Sequence, residues 1–416
     1  MQATSSSIKD SPWIICFATA LFFCFQFMQM NVFNAISFQL MNTFKINTVQ
    51  LGHFSAVYLY AIALFFLPAG LLLDRFSTRK LILTAMIISI LSTIMFATSD
   101  SLHTAKIARF LTGMVHGLAF LSGYRMVSRW LRHHMALAMG LITTVALMGG
   151  ILMQAPLALL ANAFGWRDVI LMDAGLGVVI WIVMWIFVKD HPDSHRESTT
   201  GSSSFKFWKN LGRVAINLQN WGCAIYTALL NLPLILLGAL WGNIYLTREE
   251  HLTNIHASEV ITMIYIGTII GSPLAGWISD RICRRKVPMI TGAFLALLVI
   301  LPIAFVGVLS FPVLIVLFFL LGLFTSTQSL TYPVITESNK TTLTSTATGF
   351  ASVLIMGNAA IFQPFFGWLT QQQHVFFLSR LSADSYRAAF MIIPIAFLIS
   401  LTLSLIIKET NCRRVD

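Results

Sequence analysis

Long apolar stretches alternate with short polar ones along almost the whole chain. An apolar stretch of about 20 residues is long enough to cross a membrane as a helix. The pattern predicts twelve such spans, at residues 13–39, 51–73, 80–98, 105–126, 135–162, 168–188, 217–246, 258–279, 287–307, 311–333, 346–369 and 388–408. The sequence therefore predicts an all-α membrane protein with twelve transmembrane helices.

One long polar interruption divides these spans into two groups of six. Residues 189–215 are rich in serine and in charged residues, a composition that is typical of a linker. Residues 1–188 and residues 216–416 are therefore predicted to form two six-helix bundles. The linker between them is predicted to lie in the cytoplasm.

The two groups of spans repeat each other in sequence. Asp74 follows span 2 and Asp280 follows span 8, 206 residues later, and arginines and a lysine come after both. Gly140 and Gly349 stand where spans 5 and 11 begin, at an offset of 209 residues. Offsets close to half the chain length indicate a parallel duplication of one six-span unit.

Composition and charge place the spans in lipid. Of the 416 residues, 57% are hydrophobic and 10% are charged, whereas soluble domains carry about 25% charged residues. With the N-terminus in the cytoplasm, 20 of the 27 Lys and Arg residues fall in the tail and loops on that side. Cytoplasmic loops concentrate these residues. The net charge of +11 therefore indicates a multi-pass inner-membrane protein with both termini cytoplasmic, in contact with lipid and without a nucleic-acid partner.

The repeated loop resembles the signature of a known family. Gly70-Leu-Leu-Leu-Asp74-Arg75-Phe-Ser-Thr-Arg79-Lys80 and its counterpart at 276–286 resemble the loop motif of the major facilitator superfamily. The stretch from Arg109 to Gly117 resembles a second motif of that superfamily, and the resemblance covers the whole chain. The sequence of residues 58–61 resembles that of bacterial carriers grouped with phagosomal amino-acid transporters, and that of lysosomal dipeptide carriers. The resemblance implies a secondary transporter that works by alternating access; we expect a monomer without a cofactor.

Asp74 and Asp280 are candidates for an inner gate. A carboxylate can complement the positive N-terminus of a helix, and the resemblance implies the start of span 11 for Asp74 and of span 5 for Asp280. The alternative is that these charges merely follow the membrane topology. Further arginines could complete an ion-pair network at this gate: Arg75, Arg79, Arg125, Arg129 and Arg281.

Three ionisable residues at membrane depth are candidates for solute binding and proton coupling. Arg109 must face water, an acid or an anionic solute, unless it snorkels to the outer interface. His116 lies two turns further along the same face and can exchange a proton near neutral pH; the alternative is a neutral histidine bonded between helices. Asp173 in span 6 is either a coupling acid or a structural counter-ion.

Polar residues in other spans predict a solute cavity. Asn31 and Asn231 are preferred because the resemblance implies that spans 1, 4, 7 and 10 line it, and Tyr58 is a further candidate. Each could instead bond a neighbouring helix. We expect proton-coupled movement of an amino acid, short peptide or carboxylate, with efflux of a drug or metal chelator, or uniport, as alternatives. The sequence contains no P-loop, catalytic nucleophile or metal motif, so neither an enzyme nor an ATP-driven pump is predicted.

Overall fold

A computed structural model of the chain describes residues 11–131, 135–190, 204–340, 343–371 and 385–413. These residues form helices joined by short connections. In chain order they are α1 (Pro12–Phe44), α2 (Thr48–Arg75), α3 (Thr78–Ala97), α4 (Leu102–Trp130), α5 (Met135–Leu152), α6 (Ala155–Phe164), α7 (Trp166–Phe187), α8 (Ser204–Ile216), α9 (Leu218–Leu230), a π-helix (Pro233–Trp241), α10 (Gly242–Glu249), α11 (Asn254–Ile282), α12 (Lys286–Phe305), α13 (Phe311–Thr325), a 3-10 helix (Ser326–Leu330), α14 (Thr331–Glu337), α15 (Thr344–Leu369), α16 (Ser385–Phe390) and α17 (Ile392–Ile406).

Helix lengths in the described ranges agree with the predicted spans. Ten helical segments are long and apolar enough to cross a membrane, and the bent pair at 218–249 is an eleventh. The remaining predicted span is α4, which has 29 residues but is less apolar because it carries side chains such as Arg109 and His116. The prediction of an all-α membrane protein with twelve transmembrane helices is confirmed. Following the predicted topology, we call the face with the α1–α2 connection the outer face, and the opposite one the inner face.

Three spans that the apolar pattern predicts as continuous are broken. Span 5 divides into α5 and α6, span 7 bends by 40° where the π-helix begins, and span 10 tightens into the 3-10 helix. Pro156 and Pro233 stand in the first turns after two of these breaks, where a ring without an N–H is tolerated. Apolar length alone does not reveal such breaks. It also does not indicate α8, which covers the end of the predicted linker.

The sequence duplication reappears as a duplicated helix contact. A Cβ added to Gly113 of α4 would lie 2.3 Å from the main-chain oxygen of Tyr58 in α2. A Cβ added to Gly322 of α13 would lie 2.1 Å from the main-chain oxygen of Ile264 in α11. The two glycines are 209 positions apart, as are Gly140 and Gly349. Only glycine permits such a close approach of two backbones, so each half contains the same glycine-mediated contact between two helices.

The two halves are in direct contact toward the outer face. A hydrophobic cluster between them contains Met30 and Tyr58 from the first half and Ile235 from the second. Nearer the outer face, a Cβ added to Gly52 of α2 would lie 3.0 Å from the Cα atom of Pro364 in α15. The outer ends of the two halves are therefore closed against each other.

Candidate functional site

Arg109 of α4 is enclosed inside the first half. Only 2% of the residue is exposed, and its guanidinium carbon lies 4.8 Å from the ring centre of Phe33 and 4.5 Å from that of Tyr58. Aromatic faces attract a cation, more strongly where water is excluded. One nitrogen, Nη2, donates a hydrogen bond of 2.7 Å to the main-chain oxygen of Gln29. The side chain is therefore shielded from the outer interface and from the space between the halves.

Gln29 of α1 connects Arg109 to Asp173 of α7. Its side-chain amide donates a hydrogen bond of 2.5 Å to Oδ2 of Asp173, and 5% of Asp173 is exposed. Within the described ranges, Arg109 Nε and Nη1 and Asp173 Oδ1 have no hydrogen-bond partner. The two charges are thus joined through one glutamine, whose main chain binds the cation and whose side chain binds the anion.

His116 binds the same tyrosine that faces Arg109. The Tyr58 hydroxyl donates to the main-chain oxygen of Gln26 at 2.9 Å and lies 2.8 Å from His116 Nδ1. Because the hydroxyl has a single proton, this arrangement requires that Nδ1 donates, as in a neutral histidine protonated there. The glycine contact between α4 and α2 described above brings the two side chains together. Arg109, Tyr58 and His116 therefore form one unit.

Asn31 lies at a contact between the halves. Its Nδ2 donates to the main-chain oxygen of Phe27 at 2.7 Å, and its Oδ1 accepts a hydrogen bond of 2.5 Å from the Tyr265 hydroxyl of α11. Two glycines make room for Tyr265: a Cβ on Gly150 would lie 2.5 Å from its ring, and a Cβ on Gly238 would lie 2.5 Å from its hydroxyl oxygen. Asn31 therefore bonds the opposite half in this conformation.

A second set of amides closes the outer side. Asn34 of α1 donates to Gln154 Oε1 at 2.7 Å and accepts from the main-chain N–H of Asn243 at 3.0 Å. Gln154 in turn donates to the main-chain oxygen of Gly238 at 2.9 Å. Asn34, Gln154 and Asn243 are fully buried. We call the residues that make these cross-half bonds the outer seal: Asn31, Asn34, Gln154, Asn243 and Tyr265.

Asn231 lies on the inner side of the outer seal, where α9 ends. Its Oδ1 accepts a hydrogen bond of 3.0 Å from Nε2 of Gln328 in the 3-10 helix. Asn358 of α15 donates to the main-chain oxygen of Ala228 at 3.2 Å. All three amides are half-buried, and we call them the amide wall: Asn231, Gln328 and Asn358.

Gate candidates of the second half lie in a charge cluster at the inner face. Asp280 forms an ion pair of 2.5 Å with Arg285, which also binds Glu337 at 2.9 Å. The guanidinium carbon of Arg281 lies 5.2 Å from the ring centre of Trp277. These contacts stay within the second half. The side chains of residues 135–137 at the start of α5 lie outside the described part, so the contact predicted for Asp280 stays a prediction.

Two gate candidates of the first half bind Asp190, which follows α7. The main-chain N–H of Arg79 donates to Asp190 Oδ1 at 2.9 Å, and Arg129 Nη1 donates to the Asp190 main-chain oxygen at 3.3 Å. Arg125 is half-buried one turn before Arg129. The side chains of Asp74 and Arg75 lie outside the described residues, so their gate contacts stay predictions.

Glu409, which follows α17, repeats the role of Asp190 in the second half. Its carboxylate accepts hydrogen bonds of 2.8 Å from the main-chain N–H groups of Arg285 and Lys286, where α12 begins. Burial would raise the pKa of this carboxyl, but bonds from the N–H groups of Arg285, Lys286, Asn411 and Thr410 outweigh it and hold the pKa below its ordinary value. Each half therefore ends in a carboxylate that binds its own inner loop.

Comparison with known proteins identifies the family. The sequence profile described as Major Facilitator Superfamily matches residues 16–253 and 223–411, nearly the whole chain. The chain belongs to this superfamily. A bacterial homologue of the human lysosomal transporter Spinster, crystallised in an inward-facing and unoccupied conformation, has a TM-score of 0.72 at 14% identity, covering 95% of this chain and 97% of that one. That likeness shows the fold.

Relatives within the superfamily differ in what they carry. The D-galactonate transporter of Escherichia coli is 23% identical over 285 residues, 61% of this chain and 65% of that protein. The drug efflux pump JefA of Mycobacterium tuberculosis is 25% identical over 186 residues, 42% of this chain and 35% of that protein. The chain thus matches less than two thirds of the length of either relative.

Sequence reasoning about this superfamily member missed Gln29, Gln154, Tyr265 and Gln328. Neutral polar residues inside apolar spans are common, so nothing in the local sequence separates them from ordinary helix contacts. One signal was available: Asn34 and Asn243 are 209 positions apart, which is the offset of the internal repeat. Equivalent residues of the two halves therefore meet in the outer seal.

Proposed function

We propose that this chain is a proton-coupled secondary transporter that carries a small polar or anionic organic solute across the inner membrane by alternating access. The observation that carries the proposal is the buried ionisable group of Arg109, His116 and Asp173. Ionisable side chains are costly inside a membrane and mark functional sites there. The relation to the D-galactonate transporter supports an organic anion as the solute.

Tyr58 connects this ionisable group to the contact between the halves. Its ring faces Arg109, its hydroxyl binds His116, and it packs in one cluster with Ile235 of the opposite half. Protonation of His116 would put a second positive charge against the same tyrosine. Arg109 and the protonated His116 would repel each other across this interface residue, so a conformation that separates them would bind the proton more tightly. Such a difference is what coupling requires.

Asp173 is the alternative proton carrier in the same group. While it is ionised, it neutralises Arg109 through Gln29. Its protonation would leave the guanidinium uncompensated and would weaken the bond from the Gln29 amide. Because Gln29 belongs to α1, which also carries Asn31 and Asn34 of the outer seal, a change at Asp173 would reach the seal along one helix.

Efflux of an apolar drug is the second candidate function. The match to JefA favours it, as does an aromatic patch near His116, in which the ring centres of Phe23 and Phe27 lie 5.2 Å apart and those of Phe23 and Phe120 lie 5.7 Å apart. Transport measured in right-side-out and in inverted vesicles separates uptake from efflux.

Counterflow and pH-jump assays in proteoliposomes test the coupling, with D-galactonate as the first solute in a panel of amino acids, short peptides and carboxylates. His116→Gln is expected to spare exchange and to abolish accumulation driven by a pH gradient, because glutamine bonds Tyr58 but takes up no proton. His103→Gln, an exposed residue of the same helix, is the control and should behave as wild type. Undiminished accumulation by His116→Gln would mean that Asp173, and not His116, carries the proton. Exchange of no panel member by the wild type would contradict the proposed function.

A further inference from the structure

Two broken helices meet at the amide wall. Helix α9 ends at Leu230 before the π-helix, and α13 gives way to the 3-10 helix at Ser326. The hydrogen bond between Asn231 and Gln328 joins these two breaks. Broken helices at membrane depth expose backbone polar groups, and such irregular segments are tolerated where they line a cavity.

The amide wall faces the space between the halves. Asn231 is one helical turn from Ile235, so both lie on one face, and Ile235 packs in the cluster that contains Met30 and Tyr58 of the opposite half. Asn358 lies beside Asn231, because it bonds the main-chain oxygen of Ala228, three positions before Asn231. The three amides are half-buried rather than buried, so part of each residue remains accessible.

Each amide of the wall retains unused hydrogen-bonding capacity. The pair of Asn231 and Gln328 uses one carbonyl and one NH2 group, so one NH2 and one carbonyl remain in either orientation of the two side chains. Asn358 uses its NH2 on Ala228 and keeps its carbonyl. A hydroxyl group both donates and accepts, and it therefore fits a wall with two free carbonyls and one free NH2. A carboxylate only accepts and would leave both carbonyls without a donor.

We propose that the amide wall binds hydroxyl groups of the solute, which makes the solute a small polyhydroxylated molecule. This inference rests on the proposed function and deepens it by naming a substrate class. It assigns solute recognition to neutral groups of the second half. The charges of the first half, where Arg109 is enclosed by aromatic rings, are left for coupling.

Competition binding to the purified full-length protein tests the inference, with D-galactonate as the hydroxylated acid and propionate as an acid without hydroxyls. Asn231→Leu and Gln328→Met keep side-chain volume and remove the amides. Each is expected to lower the preference for D-galactonate over propionate about tenfold, as the loss of one or two hydrogen bonds predicts. The control is Gln363→Leu, which removes a fully buried amide of α15 and should leave the preference unchanged. This ratio does not depend on the fraction of protein that is folded.

Two outcomes would overturn the inference. The first is an unchanged preference in the wall variants, which includes equal weakening of both probes. The second is a wild-type protein that binds propionate as tightly as D-galactonate; in that case the proposed transport of organic acids still stands. Binding of neither probe would count against the organic-acid substrate itself, and therefore against the proposed function as well as the inference.

Discussion

At the scale of single residues, one carboxylate after the last span holds the inner loop of the second half. Glu409 accepts four main-chain N–H groups, and the Thr410 beside it donates to Glu337, which also binds Arg285. Asp190 makes the equivalent contact in the first half. The fold thus uses an acid after each sixth span to satisfy the N–H groups at the start of a helix, which have no partner within that helix.

Replacing Glu409 by glutamine should lower stability in a pH-dependent way. The folded-state pKa of Glu409 lies below its ordinary value of 4.5, so its contribution is present above that value and is lost as the pH falls through the lowered pKa. We expect Glu409→Gln to cost about 1 kcal/mol at neutral pH, at the low end for charged hydrogen bonds because water reaches this side chain. Thermal unfolding from pH 7 down to about pH 3, a range that extends below the ordinary pKa of 4.5, measures this. Glu259→Gln, at the outer end of α11, is the control; a difference from wild type that stays constant with pH would refute the assignment.

At the scale of elements, broken helices bring the outer seal together. Gln154 stands at the break between α5 and α6. Its side chain donates a hydrogen bond to the main-chain oxygen of Gly238, which lies within the π-helix. An uninterrupted α-helix would use that carbonyl in its own ladder. The breaks therefore release the polar groups that join one half to the other.

Removing an amide of the outer seal should favour opening at the outer face. Asn34→Leu leaves Gln154 Oε1 and the Asn243 N–H without their partner. This costs about 1–3 kcal/mol in the closed form and shifts the equilibrium by roughly 5- to 150-fold. Spin labels at Gln50 and Gln371, with the non-buried Cys283 and Cys412 changed to serine, report the distance between the outer ends of α2 and α15. We expect a larger long-distance population in Asn34→Leu.

The control is Asn220→Leu, which removes a buried amide paired with Asn339 and should leave the distances unchanged. An unchanged distribution in both variants would show that Asn34 does not hold the outer face closed.

At the scale of the whole molecule, the distribution of basic residues fixes a testable orientation. Reporter fusions at both termini and within residues 202–204 of the linker should all report the cytoplasm, because cytoplasmic loops concentrate lysine and arginine. A fusion in the α1–α2 connection at Lys45 serves as the control and should report the opposite side. A periplasmic signal from the linker would contradict the predicted twelve-span topology.

The sequence predicted the number of spans and their duplication, because length, apolarity and the repeated loop at Asp74 and Asp280 are properties of the chain itself. It did not predict the surroundings of Arg109. An apolar span shows that a cation lies at membrane depth, but whether that cation meets water or aromatic rings depends on how the helices rotate against each other. The partner of Asn31 was missed for the same reason, since Tyr265 lies 234 positions away and only packing brings them together.

The outer seal consists entirely of neutral partners: amides, one phenol and main-chain groups. Salt screens charges and acid titrates them, but neither acts on bonds between neutral groups. The bonds of the seal itself should therefore hold steady while the surroundings of the cell change in salinity or acidity. External protons would then act on closure only through the buried group of Arg109, His116 and Asp173, where proton binding is coupled to transport. Such a division lets the proton that is carried, rather than the salt of the medium, control the opening of the outer face.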